Sequence, residues 1–196
     1  MNEQIFETVV TTCSPAGVVH VAPMGVRYVG DGGVVLKPFR PSTTLDNILA
    51  SGMAVLNLLT DVRVFAGCVT GRRGWATVDV HLPGEPRAVR VATALEHVVL
   101  RLEGRDDDAQ RPTLRLARLR SERHAEWPGF NRAQAAVIEG AVLVSRLHLL
   151  PRAKIESEMA YLQIAIDKTA GPAEHEAWGW LQEAVARAAA ALERSA

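Results

Sequence analysis

The hydrophobic periodicity of this sequence changes near residue 128, and no other feature limits the possible folds as strongly. Before that point, short β-branched and apolar runs alternate with Gly, Pro and Asp turns, a pattern typical of strands in a meander. After it, apolar residues recur at i, i+3, i+4 and i+7, as on one face of a helix. The sequence therefore predicts an α+β fold, β-rich over 1–127 and helical over 128–196.

The β-rich part opens with a predicted meander of three strands. Residues 5–13 and 18–30 are predicted strands, and 34–39 returns as a third after the "DGG" hairpin turn. Pro23 and Gly25 interrupt the second strand, which indicates a bulge or an edge position. Part of its backbone is therefore expected to lack a strand partner.

A short helix is predicted over 43–51, with Gly52 as its C-cap. The apolar run 53–59 is typical of a buried strand. Further predicted elements are loops or short elements over 61–89, a strand over 90–104, and a strand over 113–127 in which Leu114, Leu116 and Leu119 alternate with arginines.

Three helices are predicted beyond residue 131, each from a stripe of apolar residues. The stripes are Ala133, Ala136, Val137, Gly140, Ala141 and Val144; Ile155, Met159, Leu162 and Ile166; and Ala177, Leu181, Ala184 and Ala188.

Charge and composition exclude several classes of function. Lys plus Arg equals Asp plus Glu, at 22 each, so the chain lacks the basic excess of a general nucleic-acid or membrane binder. Cys13 and Cys68 show no pairing pattern, and the six histidines show no metal-ligand spacing, so free thiols and no metal site are expected. Without a signal peptide or a membrane span, we expect a cytoplasmic protein.

The stretch "KPFRPSTTLDNILASG", residues 37–52, places cationic and hydroxyl side chains at the start of the first predicted helix. The first turn of a helix presents unpaired N–H groups and a partial positive charge, which can hold a phosphate. Ser42, Thr43 and Thr44 lie within or just before this turn, and Arg40 could make a bidentate contact with an anion. The stretch therefore fits an anion site.

The same residues also fit an ordinary capped helix with no ligand. Ser42 or Thr43 can act as the N-cap, and Thr43 with Asp46 matches a variant of the capping box. Asp46 also brings negative charge into the first turn, which counts against an anion there. The residues alone leave both interpretations open.

The order of these segments resembles that of the FMN-binding split-barrel proteins, the flavin reductase-like group. In that group a segment of the form S-x-T-x-x-N-I opens a helix that binds the FMN phosphate. The matching residues here are Ser42, Thr44, Asn47 and Ile48. "VLNL" (55–58) matches the strand that follows, and "HVAPMGV" (20–26) resembles the strand along the flavin ring. The whole chain is most similar to the DUF447 branch, which carries a C-terminal helical extension.

This resemblance implies a split β-barrel of the FMN-binding type over 1–127, followed by a helical segment over 128–196. It implies a phosphate site at Ser42, Thr44 and Asn47, to which charge and position add Arg40 and Thr43. Expected contacts with the ring are Pro23, Met24, Gly25 and Val26, and expected contacts with the ribityl chain or ring are Leu58 and Thr60.

The resemblance also implies a homodimer with flavin at the interface and a small-molecule hydride donor or acceptor. FMN accepts a hydride at N5 and passes electrons on, so the protein need only position and tune it. The leading hypothesis is a flavin-dependent oxidoreductase. The alternatives are a non-catalytic flavin carrier or sensor, and a structural homodimer whose helix cap holds no ligand.

Overall fold

The computed structural model describes residues 4–193 and divides the chain into two compact units. One unit comprises the residues up to Leu59 together with Trp75–Trp127. The other comprises Thr60–Gly74 together with the residues from Pro128 onward. The segment Thr60–Gly74 thus belongs with the helices, although it lies between strands in the sequence.

Secondary structure covers most of the described chain. In chain order its elements are β1 (Phe6–Cys13), β2 (Val19–Val29), β3 (Gly33–Leu36), α1 (Thr43–Ser51), β4 (Met53–Leu58), α2 (Arg63–Val69), β5 (Thr77–Val80), β6 (Ala88–Val91), β7 (Glu96–Asp106), β8 (Thr113–Arg123), α3 (Arg132–Ser145), α4 (Arg152–Thr169) and α5 (Pro172–Glu193).

Six strands of the first unit close into an antiparallel barrel, in the order β1-β2-β3-β8-β7-β4. Alternate residues of these strands point inward, as the two-residue period of a strand requires. The fully buried interior includes Val10, Leu56, Leu100 and Leu114. Closure leaves few free strand edges, which are otherwise sites of unwanted pairing.

Helix α1 contributes two apolar side chains to the barrel core. Leu45 and Ile48 are buried within the same cluster as the inward-facing strand residues. Burial of two such side chains stabilises the fold by about 1.5–3 kcal/mol each. The packing therefore fixes the helix N-terminus relative to β1, β2 and β4, which α1 contacts.

A second, smaller sheet of β5 and β6 lies outside the barrel, with β6 packed against β1 and β4. Met53, Val55 and Val99 form an apolar cluster with Ala88 there. Leu119 packs against this outer cluster. It lies three residues beyond Leu116, an odd spacing that turns it to the opposite face from Leu114 and Leu116.

Asn57 on β4 is a fully buried polar residue that joins strands of both sheets. Its Nδ2 lies 3.1 Å from the Val9 carbonyl oxygen and 3.2 Å from both Thr11 Oγ1 and the Val55 carbonyl oxygen. Its Oδ1 accepts a hydrogen bond from the Val91 amide at 2.7 Å. A buried amide with these partners specifies how β6 sits on the barrel.

The helices α2, α3, α4 and α5 form the second unit, and α3 contacts the other three. Asn131 caps α3 by accepting from the Ala133 amide at 2.8 Å. Gly140 allows α3 to approach α5 closely. A Cβ built at Gly140 would lie 2.8 Å from the Trp178 ring. The apolar stripes predicted for these helices are largely buried, as at Ala177 and Leu181.

The structure confirms four of the predicted features: the meander, the first helix with its Gly52 C-cap, the buried fourth strand and the three final helices. Of the two options predicted for β2, a bulge or an edge position, the bulge is excluded, since β1 pairs with β2 without interruption from Val19 to Val26. The predicted strand 90–104 is divided by a turn between β6 and β7, and the strand predicted over 113–127 ends at Arg123. The span 61–89 holds α2 as well as short strands.

Within residues 4–193, none of the helices combines the length and apolar character needed to cross a lipid bilayer.

Candidate functional site

The N-terminus of α1 is capped by Ser42. Its backbone is extended (φ −150°, ψ 115°), its Oγ accepts from the Leu45 amide at 3.2 Å, and its carbonyl accepts from the Asp46 amide at 3.0 Å. Because Ser42 is the cap, the capping box predicted for Thr43 with Asp46 does not form. No residue in the range 4–193 accepts from the amides of Thr43 and Thr44. Two N–H groups are therefore available to a ligand.

Thr44 carries a buried hydroxyl that has no hydrogen-bond partner among the described residues. The residue is only 1% exposed. An unpaired buried hydroxyl is unfavourable, and nearly all buried polar groups have a partner. A ligand with acceptor oxygens at the start of α1 would satisfy this hydroxyl. The residues present therefore fit an anion such as a phosphate.

Asn47 is buried and tied to the barrel wall. Its Nδ2 donates to Thr12 Oγ1 on β1 at 3.0 Å. Thr12 in turn is the register partner of His20 on β2. The bond holds the first turns of α1 against the barrel wall. A direct contact between Asn47 and a phosphate stays a prediction, and only the remaining Nδ2 proton could donate to the phosphate, since the side-chain oxygen is an acceptor.

Arg40 lies two residues before the cap, with a side chain that is 40% exposed. Its backbone amide donates to the Gln110 carbonyl at 2.8 Å. The guanidinium approaches Asp107 only to 4.0 Å, the outer limit of an ion pair. Such an exposed and distant pair contributes little stability, so Arg40 keeps most of its capacity to bind an anion.

Strand β2 has a strand neighbour on only one side at three of the four predicted ring contacts, Pro23, Met24 and Gly25. Strand β3 pairs with β2 from Val26 to Val29 only, and no strand of the described chain pairs with that side of Pro23, Met24 and Gly25. The edge position predicted from Pro23 and Gly25 is therefore confirmed. Val26 pairs on both sides, with Phe6 and Leu36, and its side chain is fully buried in the barrel core.

The remaining predicted contacts are Leu58 and Thr60, which follow α1 in the chain at and just after the end of β4. Leu58 ends β4 and accepts from the Leu95 amide at 2.8 Å. It lines a cavity of about 400 Å³ together with Leu95, Glu96, Arg123, Ala125, Glu126 and Trp127. Thr60 is the first residue of the second unit. The roles of both residues stay predictions.

Two histidines that are 27 residues apart in the sequence come together in the barrel unit. His97 Nδ1 lies 2.7 Å from His124 Nε2, and the two rings are stacked within 5° of parallel. His97 is 2% exposed, and its Nε2 has no partner among the described residues. Sequence spacing gave no sign of this pair, because it depends on the register between β7 and the end of β8.

The stability of the fold is expected to decrease as the pH falls below about 6.5, because His97 resists protonation. Burial lowers the pKa of His97 below its ordinary value, and the neighbouring His124 lowers it further. Glu122 opposes this shift, whereas Arg90 and Arg120 add to it. The unfolded chain therefore binds more protons than the folded chain between the two pKa values. Urea unfolding from pH 5 to 8 measures the slope.

The His97→Gln variant should flatten this dependence, because it removes the group whose pKa differs between the two states. His81→Gln provides the control, since His81 is exposed in the same unit. An equal slope in wild type and His97→Gln would show that His97 is not the responsible group.

With this geometry established, comparison with known proteins identifies the family. The family model described as "Protein of unknown function (DUF447) N-terminal domain" matches residues 6–125, and that described as "Protein of unknown function (DUF447)" matches residues 131–183. The chain belongs to the DUF447 family. The family predicted from the "RPSTTLDNI" motif and the helical extension is thereby confirmed.

Solved structures similar to this DUF447 protein share the split-barrel fold. The FMN-bound protein MM1853 from Methanosarcina mazei, also of the DUF447 family, has a TM-score of 0.78 at 23% identity, covering 93% of this chain and 96% of that one. The Pseudomonas fluorescens 2-nitrobenzoate 2-nitroreductase NbaA has a TM-score of 0.53 at 16% identity, covering 63% and 66%. The flavin reductase PheA2 has a TM-score of 0.50 at 17% identity, covering 61% and 80%. The predicted fold class is confirmed for this DUF447 protein.

Proposed function

We propose that this protein binds FMN, with the phosphate at the N-terminus of α1 and the ring along the open edge of β2. The observation that carries the proposal is the buried Thr44 hydroxyl, which has no partner in the described chain and lies beside two open amides. A phosphate oxygen would accept from this hydroxyl and from the amides of Thr43 and Thr44. The FMN bound to the Methanosarcina mazei relative supports FMN as the ligand.

The proposed roles of the other residues follow from their positions. Ser42 orients the first turn through its bond to Leu45, and Asn47 holds that turn against Thr12. The Arg40 guanidinium neutralises part of the phosphate charge. The Met24 carbonyl accepts from Thr8 Oγ1 on β1 at 2.8 Å. The backbone of Pro23 and Gly25 is therefore what presents an edge without a strand neighbour, to which ring nitrogen and oxygen atoms could bond. Pro23 itself offers only its carbonyl, since proline has no N–H.

We propose oxidoreduction as the activity. Bound FMN would supply hydride and electron transfer, and this chain would supply the position and the water-poor surroundings of the flavin. Similarity in fold to a nitroreductase and a flavin reductase supports this class of reaction. A homodimer with flavin at its interface belongs to the same proposal, and the mass of the flavin-loaded protein in light scattering tests it.

The binding experiment is a fluorescence titration of the flavin-free protein with FMN. Arg40→Ala is expected to weaken binding about five- to tenfold, because the exposed guanidinium provides a screened, charge-assisted contact. Arg87→Ala is the matched control: Arg87 is also a half-exposed arginine paired with an aspartate, Asp79, but it immediately precedes β6, outside the proposed site. A wild-type protein that does not bind FMN would contradict the proposal.

A second experiment separates an oxidoreductase from a carrier or sensor. Flavin-loaded protein is mixed with NADH or NADPH without oxygen, and the loss of flavin absorbance is followed. Bleaching with turnover on an added acceptor is the result expected for an oxidoreductase. A stable yellow protein that neither donor bleaches would favour the carrier or sensor instead.

A further inference from the structure

We propose that the surface preceding α1 binds an adenylate, that is, an adenine ring joined through ribose to a phosphate. We call this surface the Phe39 platform and define it as Lys37, Phe39, Arg40 and Arg111. The inference rests on the proposed FMN site and extends its ligand class. FMN ends at the phosphate, whereas a flavin dinucleotide continues from that phosphate into an adenylate.

Phe39 presents an aromatic ring to solvent beside the α1 cap. The side chain is 63% exposed. The Arg111 guanidinium carbon lies 4.4 Å from the ring centroid, over its face. A cation on one face leaves the remaining ring surface open for a second planar group. Base–aromatic stacking is the common use of such an exposed ring in nucleotide binding.

Hydrogen bonds hold the platform in place. Arg111 Nε donates to the Lys37 carbonyl at 3.1 Å, and the Arg40 amide donates to the Gln110 carbonyl at 2.8 Å. Asp108 Oδ1 accepts from the amides of Gln110 and Arg111 at 2.9 and 2.7 Å. The Phe39 segment and the loop that carries Arg111 are therefore joined at two points, so the ring and the guanidinium are arranged before any ligand arrives.

The charges around the ring suit a phosphate. Lys37, Arg40 and Arg111 each bring one positive charge to this surface. Asp107 is shared between Arg40, at 4.0 Å, and Arg105, at 3.4 Å. The Asp108 carboxylate is bonded to backbone amides, which lower its pKa, the Arg111 amide having the largest effect. Arg115 and Lys37 likewise lower the pKa of Asp106. The three carboxylates of this loop therefore only partly neutralise the five cations Lys37, Arg40, Arg105, Arg111 and Arg115.

The platform lies within reach of the proposed flavin phosphate. Phe39 precedes the cap residue Ser42 by three residues, a chain length that spans at most about 11 Å. An adenylate bonded to a phosphate at the cap extends over a comparable distance. Two ligands carry this same chemistry: FAD, through its own adenylate, and a reduced nicotinamide dinucleotide, through its adenosine diphosphate half.

The test compares ligands with and without adenylate on wild type, Phe39→Ala, Phe39→Trp and Phe130→Ala. FMN, FAD and adenosine diphosphate are titrated by calorimetry. We expect FAD to bind wild type about five- to fiftyfold more tightly than FMN, and Phe39→Ala to lose this advantage with FMN affinity unchanged. Phe39→Trp should retain it. Phe130→Ala, which removes a fully exposed phenyl group from the helical unit, should match wild type.

The second arm identifies the source of the adenylate. If FAD and FMN bind equally, but Phe39→Ala raises the KM for NADH or NADPH about fivefold with FMN bound, the platform serves the nicotinamide donor. If no adenylate ligand depends on Phe39 while FMN still binds, the inference is overturned and the proposed function stands. If FMN does not bind, the proposed function fails and adenosine diphosphate alone tests the inference. Binding that Phe39→Ala weakens then supports it, and binding that does not depend on Phe39 overturns it.

Discussion

Replacing Thr44 with valine is expected to weaken FMN binding about ten- to hundredfold without destabilising the fold. The hydroxyl is buried and unpaired in the described chain, so its removal costs no internal hydrogen bond. A hydrogen bond to a charged phosphate contributes about 1.5–3 kcal/mol, which binding would lose. Valine keeps the β-branched shape, so packing should change little. FMN titration and urea unfolding of the same variant measure the two effects.

A loss of FMN affinity without a loss of stability would show that the Thr44 hydroxyl serves the ligand and not the fold. Thr77→Val is the control, because Thr77 is a partly buried threonine on β5, outside the proposed site. If Thr44→Val lost stability and kept its FMN affinity, the hydroxyl would be structural, and the assignment of the phosphate to this turn would fail.

Replacing Asn57 with alanine is expected to lower the free energy of unfolding by about 3–5 kcal/mol. The change leaves the Val91 amide without its acceptor, and the carbonyls of Val9 and Val55 and the Thr11 hydroxyl without this donor, all in the buried contact between β6 and the barrel. It also opens a cavity. The midpoint and slope of urea unfolding measure the loss.

Asn57→Leu separates the two contributions, because leucine restores the side-chain volume but none of the hydrogen bonds. We expect most of the loss to remain in this variant, since unpaired buried amides cost more than the lost packing. Wild-type stability in Asn57→Leu would contradict the role given to the hydrogen bonds.

Much of the barrel's secondary structure and the start of the candidate site follow from local sequence. The Ser42 cap, the Gly52 C-cap and the helix between them depend on residues within a few positions of one another. The β2 edge was predicted as one of two options, because Pro23 and Gly25 disfavour a strand paired on both sides. Whether they produce a bulge or an edge depends on where β3 ends, which is not a local property.

Local patterns were least informative over residues 61–89. That span contains α2, which packs with α3 and α5, about 70 and 110 residues later in the chain, as well as β5 and the start of β6. Seven helical residues rich in Val, Gly and Cys have little intrinsic helix propensity. Their structure comes from burial of Val64, Phe65 and Ala66, and no short window of the sequence contains that information.

By itself the sequence determined the alternation that builds strands, the 3.6-residue period that builds helices, and the hydroxyl-rich turn that begins α1. These depend on backbone geometry and on neighbours within one or two turns. Tertiary structure alone decided that Thr44 would be buried without a partner, that Asn47 would bond to Thr12, and that His97 would meet His124. The physical reason is that each of these contacts depends on barrel closure and strand register, which bring together residues distant along the chain.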